Sequence, residues 1–427
     1  MSEHRVPEQV DVAIIGGGIA GISAAIELAA RGRSVALFEK GRVGGEQSSR
    51  NWGWIRKLSR DPREMPLMIE STRIWSDRAP RLDADVGFGT RGITYLAQDE
   101  AEMAARQDWL DAVSEFQLDA RMMGPAEADA VIGRDDRRFA GAIHMPSDMS
   151  AEPRLAIPAM ARLARDNGVT IAEGCAVRGV ETRAGRISAV ITEQGRTGCE
   201  AAVLAGGAWC RTFLENLGIH IPQLAITSSV LRTEAATMIA DGPIGSAGAS
   251  IRRRKDGGYT IARSNAARFD LIPAAFRHFG AYLPLLKERW RIVTLRAGPS
   301  FFGPLGHARW SEDEVTPFER HRVLDPAPDT RLLDDVLATA RDLYPALQGV
   351  GVAERWAGMI DVTPDEIPMI DEIPGYPGFF IAAGMSGHGF GLGPGVGRLA
   401  ADLVDGRHPI VDPTPFALAR FRSFEAA

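Results

Sequence analysis

The first clear pattern in the chain is an apolar, β-branched run, VDVAII (10–15), that ends on a cluster of glycines. A run of that length without alternation predicts a strand covered on both faces, as in the centre of a parallel sheet. After GGGIAG comes ISAAIELAARG, with Ile19, Ile22, Ile26 and Ala29 at helical spacing and Gly32 as the stop. SVALFEK (34–40) predicts a second strand. Strand, helix and strand thus close within about 30 residues, the length of a right-handed parallel crossover.

Farther on, LMIESTRIW reads as a helix, TRGITYLA as a strand and AEMAARQDWLDAVSEFQL as an amphipathic helix, which together open a second domain. PRLAIPAMARLARDNGV (153–169) predicts a helix that leads through a strand and a hairpin into CEAAVLAGGAW, a strand ending in glycines. Residues 220–330 mix strand-like pieces with a Pro- and aromatic-rich stretch, and their pattern selects no single fold. GFFIAAGMSGHGFGLGPGVGRLAADLVDG closes the chain as strand, glycine-rich loop and a helix from about Pro394. Neither a repeat nor a low-complexity linker interrupts these blocks.

At 427 residues the chain has room for two to three domains, and 49 basic against 55 acidic residues leave a net charge of −6. No basic field exists to hold a polyphosphate, so no nucleic-acid partner is expected. Cys175, Cys199 and Cys210 are odd in number and lack metal-ligand spacing, which predicts neither a disulfide framework nor a metal site. No basic leader and no apolar run of the ~18 residues needed to cross a bilayer is found, so a cytoplasmic protein without a membrane span is expected.

Gly16, Gly18 and Gly21 form GxGxxG between the first strand and its helix. Such glycines permit the tight turn, the approach of a pyrophosphate to the backbone, and close helix–strand packing. Glu39 closes the second strand 39 − 18 = 21 residues later, with Lys40 beside it, where a carboxylate accepts ribose hydroxyl protons. These features indicate a dinucleotide and leave open whether it is FAD or NAD.

Three blocks, VAIIGGGIAGISAAIELAARGRSVALFEK, VLAGGAW and GFFIAAGMSGHGFGLGPGVGRLAADLV, resemble the D-amino-acid oxidase, glycine oxidase and monomeric sarcosine oxidase group of FAD-dependent oxidoreductases. The resemblance implies an α/β (α+β two-domain) fold. Its Rossmann-type FAD-binding domain would take 1–80, 150–215 and 345–427, and a mixed-sheet substrate domain 81–149 and 216–344. It also implies FAD on the first crossover, with Val177 beside the adenine and Ala205, Gly206, Gly207 and Trp209 along the nucleotide. Ser48 and Ser49 would meet phosphate oxygens, and Arg50 and Asn51 would stand near the isoalloxazine. Arg56 could hold a substrate carboxylate, which a guanidinium fits in bidentate fashion. The terminal segment, with Gly384, Gly387, Gly389, Phe390, Gly391 and Leu392, would face the ring, and a helix N-terminus there would favour negative charge on reduced flavin. His388, within SGHGF, resembles the histidine placed near the ring by sarcosine oxidases.

The chain departs from those relatives at several positions. The flavin-linking cysteine of sarcosine oxidases is replaced by Gly358, so FAD should be non-covalent, and two carboxylate anchors are replaced by Gly391 and Ile360. Arg56, Arg263 or Arg296 could take over; Asp361 could pair with a substrate cation but reads more simply as an exposed turn carboxylate. RRRK (252–255) reads as a solvated hairpin. No lysine matches the oxygen-activating one, so the electron acceptor could be O2 or a quinone or other carrier.

The reading is a flavoenzyme that oxidises the C–N bond of a small-molecule amine or amino acid to an imine by hydride transfer to flavin N5, with oligomers possible. Two alternatives are a 2-hydroxy acid or polyol dehydrogenase with His388 or His307 as base, and a flavin-binding subunit or assembly factor that uses 269–310 as a partner surface.

Overall fold

A computed structural model describes residues 6–421 except 265, 291, 307 and 308; His307 therefore lies outside the described residues. The crossover forms as β1 (Val12–Ile15), α1 (Ile19–Ala30) and β2 (Val35–Glu39). β1 lies between β2 and Ala201–Leu204, all parallel, in a six-stranded sheet. Thr170–Glu173 extends one side, and Phe379–Ala383 followed by antiparallel Met369–Glu372 extends the other. Every residue of β1 is buried, as its unbroken apolar run requires.

α1 buries nearly its whole circumference because a second helix, Gly389–Val404, lies across it. Glycine permits that approach: a Cβ at Gly397 would strike Ser23 Cβ and Ala24 N, and one at Gly393 the side chain of Ile19. The C-terminal helix begins at Gly389, five residues before the expected start near Pro394. Pro394 cannot donate to the carbonyl of Phe390, but the buried Trp75 indole does so at 3.2 Å, and Ser71 Oγ donates to Gly391 O at 2.7 Å. The orphaned carbonyl is served from the neighbouring helix Met65–Arg78, and the helix runs through its proline.

A second, ten-stranded sheet is mixed. Leu224–Thr233 pairs along its length with Val352–Val362, and the sheet ends in three antiparallel strands in the order Ile93–Ala97, Gly141–Met145 and Arg121–Met123. The expected hairpin at RRRK forms between Ser250–Arg253 and Tyr259–Ala262, but it is not solvated throughout. Arg252 is 3% exposed and grips Glu152 with two hydrogen bonds of 2.9 and 3.0 Å, a bidentate pair that ties the hairpin to the start of the helix Pro153–Asp166. The Pro- and aromatic-rich stretch resolves into strand Ala267–Asp270, helices Pro273–Arg277 and Phe279–Arg289, and strand Val293–Arg296, which roof the space between the sheets. Among the described residues no helix is long and apolar enough to cross a membrane.

If the helix crossing is as tight as the Gly397 contacts indicate, Gly397→Val should cost at least roughly 1–3 kcal/mol, the usual penalty of overpacking. Urea unfolding checks this; an unchanged midpoint would show that the helices can part freely.

Candidate active site

Two cavities meet between the sheets. The first follows the crossover: Gly16, Gly18, Glu39, Lys40, Ser48 and Val177 line it, then Ala205 to Trp209, and Gly387, Gly389 and Phe390 close its far end. The second is a chamber of about 880 Å³, a size that suits a small molecule. Gln47, Asn51, Ile360, Gly387 and Phe390 line both, and mark the junction.

The first cavity has the features a dinucleotide needs. Gly16 has φ +112°, and a Cβ there would run into the backbone of Ala205. A Cβ at Gly21 would meet the carbonyl of Gly16, so this third glycine serves packing behind the cavity. The N-terminus of α1 carries neither a side-chain cap nor an acidic first turn, which leaves its positive end for an anion. Ser48 Oγ accepts from Ile19 N at 3.0 Å at that end. Glu39 accepts from Gly17 N and Gly41 N at 2.8 and 2.7 Å, and burial pushes its pKa up. Lys40 donates to Glu46 at 2.6 Å and lies 4.5 Å from the Trp209 ring, whose indole N–H also reaches Glu46. At the junction the second helix presents an uncapped N-terminus, and Gln47 Oε1 is buried without a partner.

In the chamber, His388 Nδ1 lies 3.3 Å from Oε2 of the fully buried Glu64. Against its burial, the hydrogen bond from His388 and the charges of Arg60 and Arg56 keep Glu64 low, so it is ionised and can only accept. Burial and the Arg60 charge lower the imidazole pKa to about 4. A neutral ring that donates from Nδ1 keeps Nε2 as an acceptor, on a residue that lines the chamber. Arg56 donates to Leu58 O and lies over the Tyr95 ring, with no carboxylate partner among the described residues. Arg263 is likewise without one.

The profile of the DAO family, FAD dependent oxidoreductases, matches residues 11–403. The chain belongs to the DAO family of FAD-dependent oxidoreductases. The glycine oxidase of Pseudomonas putida is 27% identical over 417 residues, covering 95% of this chain and 97% of the oxidase. The solved L-amino acid deaminase of Proteus myxofaciens superposes with a TM-score of 0.92 at 32% identity, covering 98% of this chain and 95% of that one. That of Proteus vulgaris gives 0.92 at 31%, with 98% and 99% covered. The protein is thus an FAD-dependent oxidoreductase of the class that oxidises amines and amino acids, with the Rossmann-type fold of that family. None of the three cysteines lines either cavity, consistent with FAD held non-covalently.

Within this DAO-family site the expected residues fall into distinct places. Asn51 and Arg50 stand at the junction and in the chamber, but other protein groups occupy their side chains. Asn51 Nδ2 donates to Ser48 O at 2.8 Å and its Oδ1 accepts from Gly53 N at 2.8 Å. Arg50 holds Asp325, Ala357 O and Gly45 O. Ser49, Gly384, Gly391 and Leu392 line neither cavity, and Arg296 is exposed outside the chamber. Asp361 overturns the expectation of an exposed turn carboxylate. It is 6% exposed within strand Val352–Val362, where it accepts from Gly384 N at 2.6 Å and Gln223 Nε2 at 3.1 Å, pinning the loop before His388. Sequence reading missed Gln47, Phe318, Arg322, Met359, Arg60 and Arg106. Only the alternation around Met359 and Asp361 in WAGMIDV was available to signal any of them.

Asp361→Ala would leave the Gly384 amide unpaired in the interior, so flavin retention after gel filtration should fall roughly tenfold; full retention would show the loop to be fixed by other contacts. For His388, a pKa depressed from 6.5 to about 4 means that the unfolded chain binds more protons between those values. Its contribution to stability is complete above pH 6.5 and is lost as pH falls through 4. Between pH 5 and 6.5 the thermal midpoint of His388→Gln should therefore vary less with pH than that of the parent; parallel curves would contradict the low value.

Proposed function

We propose that the enzyme oxidises the C–N bond of an α-amino acid, primary or N-substituted, to the imine, which water hydrolyses to an oxo acid and an amine. The observation that carries this reading is a guanidinium without a carboxylate, Arg56, in the chamber that also holds the acceptor Nε2 of His388. The deaminase solved in complex with anthranilate, an amino carboxylate, supports the same class of ligand.

In this reading the six-stranded sheet with its helices is the FAD-binding domain and the ten-stranded sheet is the substrate domain, with Val352–Val362 assigned to the latter. The glycines at 16 and 18, Ser48 and the α1 N-terminus hold the pyrophosphate; Glu39 holds the ribose; Val177 and 205–209 flank the nucleotide. When bound, FAD takes the substrate hydride at N5. Arg56 fixes the carboxylate, and His388 Nε2 accepts a hydrogen bond from the neutral amine, so the α-carbon is aimed at the junction. The apolar side chains of Phe269, Leu285 and Leu286 on the chamber wall lower its polarity and favour the uncharged amine. Lys57 is buried against Asp148, Lys255 pairs with Asp85, and Lys287 does not line the chamber. With no lysine in that position, a quinone or another carrier is the acceptor that fits better than O2.

Anaerobic titration of the purified holoenzyme tests the reading. Flavin absorbance should bleach with amino acids and not with 2-hydroxy acids, and air should restore it slowly. Bleaching by hydroxy acids alone would overturn the assignment, and a flavin that nothing reduces would favour a binding subunit. Arg56→Gln should raise the amino acid concentration for half-maximal reduction by roughly ten- to hundredfold, the value of a hydrogen bond to a charged group; an unchanged concentration would move the anchor elsewhere.

A further inference from the structure

The chamber holds more cationic donor than one carboxylate uses. Arg56, Arg60 and Arg106 all line it, and two of them, Arg56 and Arg106, lie over the Tyr95 ring. The guanidinium carbons of Arg56 and Arg106 lie 5.4 and 5.2 Å from the Tyr95 ring centroid, and Arg60 Nε donates to Arg56 O at 3.3 Å. Among the described residues two carboxylates come within 4 Å of these three cations, Glu64 at 3.7 Å from Arg60 and Glu102 at 4.0 Å from Arg106, and the buried Asp148 acts on Arg56 and Arg60 from farther off. Glu64 is shared with His388.

Several donors of this cluster have no partner. Among the described residues Arg60 Nη1, Arg106 Nε and the indole N–H of Trp54 are each buried with no acceptor, Glu64 Oε1 beside Arg60 is buried with no donor, and Trp54 packs 5.8 Å from Tyr95. Arg60 is only 5% exposed. Buried donors are nearly always paired in folded proteins, so a group of them along one cavity wall marks where an acceptor binds. Burial and the charge of Arg56 lower Arg60 to about 9, and burial lowers Arg106 as well; an anion would relieve both.

The cluster has two ends. Arg60 lies toward the junction, 3.7 Å from the Glu64 that His388 also contacts, and Arg56 spans the two ends, its carbonyl accepting from Arg60 and its guanidinium lying over Tyr95. Arg106 projects from helix Glu100–Ala112 at the Tyr95 end. We propose that the substrate carries a second acidic group besides its α-carboxylate, seated by Arg106 and the Trp54 indole N–H while Arg56 and Arg60 hold the α-carboxylate. This inference rests on reading the chamber as an amino acid site. Arg263, which also lacks a carboxylate partner, is the competing seat.

The test uses the holoenzyme and both enantiomers of aspartate, glutamate and 2-aminoadipate, compared with asparagine and glutamine as neutral isosteres. Anaerobic flavin reduction should favour an acid over its neutral counterpart by roughly tenfold or more in kcat/KM. Arg106→Gln should bring that ratio near one, and Arg263→Gln should leave it in place. Equal rates for acids and isosteres, or a ratio that collapses in Arg263→Gln and survives in Arg106→Gln, would overturn the proposal.

A second readout needs neither turnover nor a variant. Glutarate, which has no amine, should perturb the flavin spectrum at concentrations roughly tenfold below butyrate; equal concentrations would count against the second seat. If no amine reduces the flavin while glutarate still binds preferentially, the oxidation reading fails and the anion seat stands. If amines reduce it with no preference for acids, the seat fails and the oxidation reading stands.

Discussion

The site depends on the close crossing of α1 by the helix Gly389–Val404. Glycine at 393 and 397 lets the two axes approach, and each helix then directs an uncapped N-terminus at the same elongated cavity. Two helix N-termini therefore supply positive potential at two points along that cavity. The proline inside the second helix would ordinarily break it there. Trp75 and Ser71 take over the orphaned carbonyls, so the helix starts early enough to reach the junction.

From that junction the chemistry follows from burial. Glu64, with no solvent exposure, receives compensation from His388 and Arg60, and in return it sets the tautomer of the imidazole. The histidine, lowered to about 4, is neutral across physiological pH and keeps Nε2 as an acceptor on the chamber wall. A protonated imidazole would instead repel a cationic amine and compete with the arginines for the substrate carboxylate. Asp361 acts similarly on the other side, where a buried carboxylate organises the backbone of the Gly384–Met385 turn. Both acids fix protein groups beside the junction of the two cavities.

The crossover was legible because its signals are local. An unbroken apolar run, glycines at fixed offsets and an acid at the end of the next strand are all contained within residues 10–40, and the structure reproduces their boundaries to within about two residues. The chamber was much less so. Arg60 and Arg106 come from a loop and from a helix roughly forty residues apart, and only the fold brings both to the chamber wall. Arg252 and Asp361 were misjudged for a related reason. Charge predicts exposure unless a partner is present, and Glu152 and the Gly384 amide are distant in sequence. Pro394 misled because its broken hydrogen bond is repaired by a side chain more than three hundred residues away.

The central claim is that the substrate lies with its carboxylate on Arg56 and its nitrogen toward His388, between the arginine row and the junction. A crystal structure of the holoenzyme with anthranilate, whose aromatic amine carbon has no hydrogen to give, tests it most directly. The account predicts the carboxylate within hydrogen-bond distance of the Arg56 guanidinium and the amine facing His388 Nε2. A carboxylate bound at Arg263 with the amine turned from His388 would contradict it.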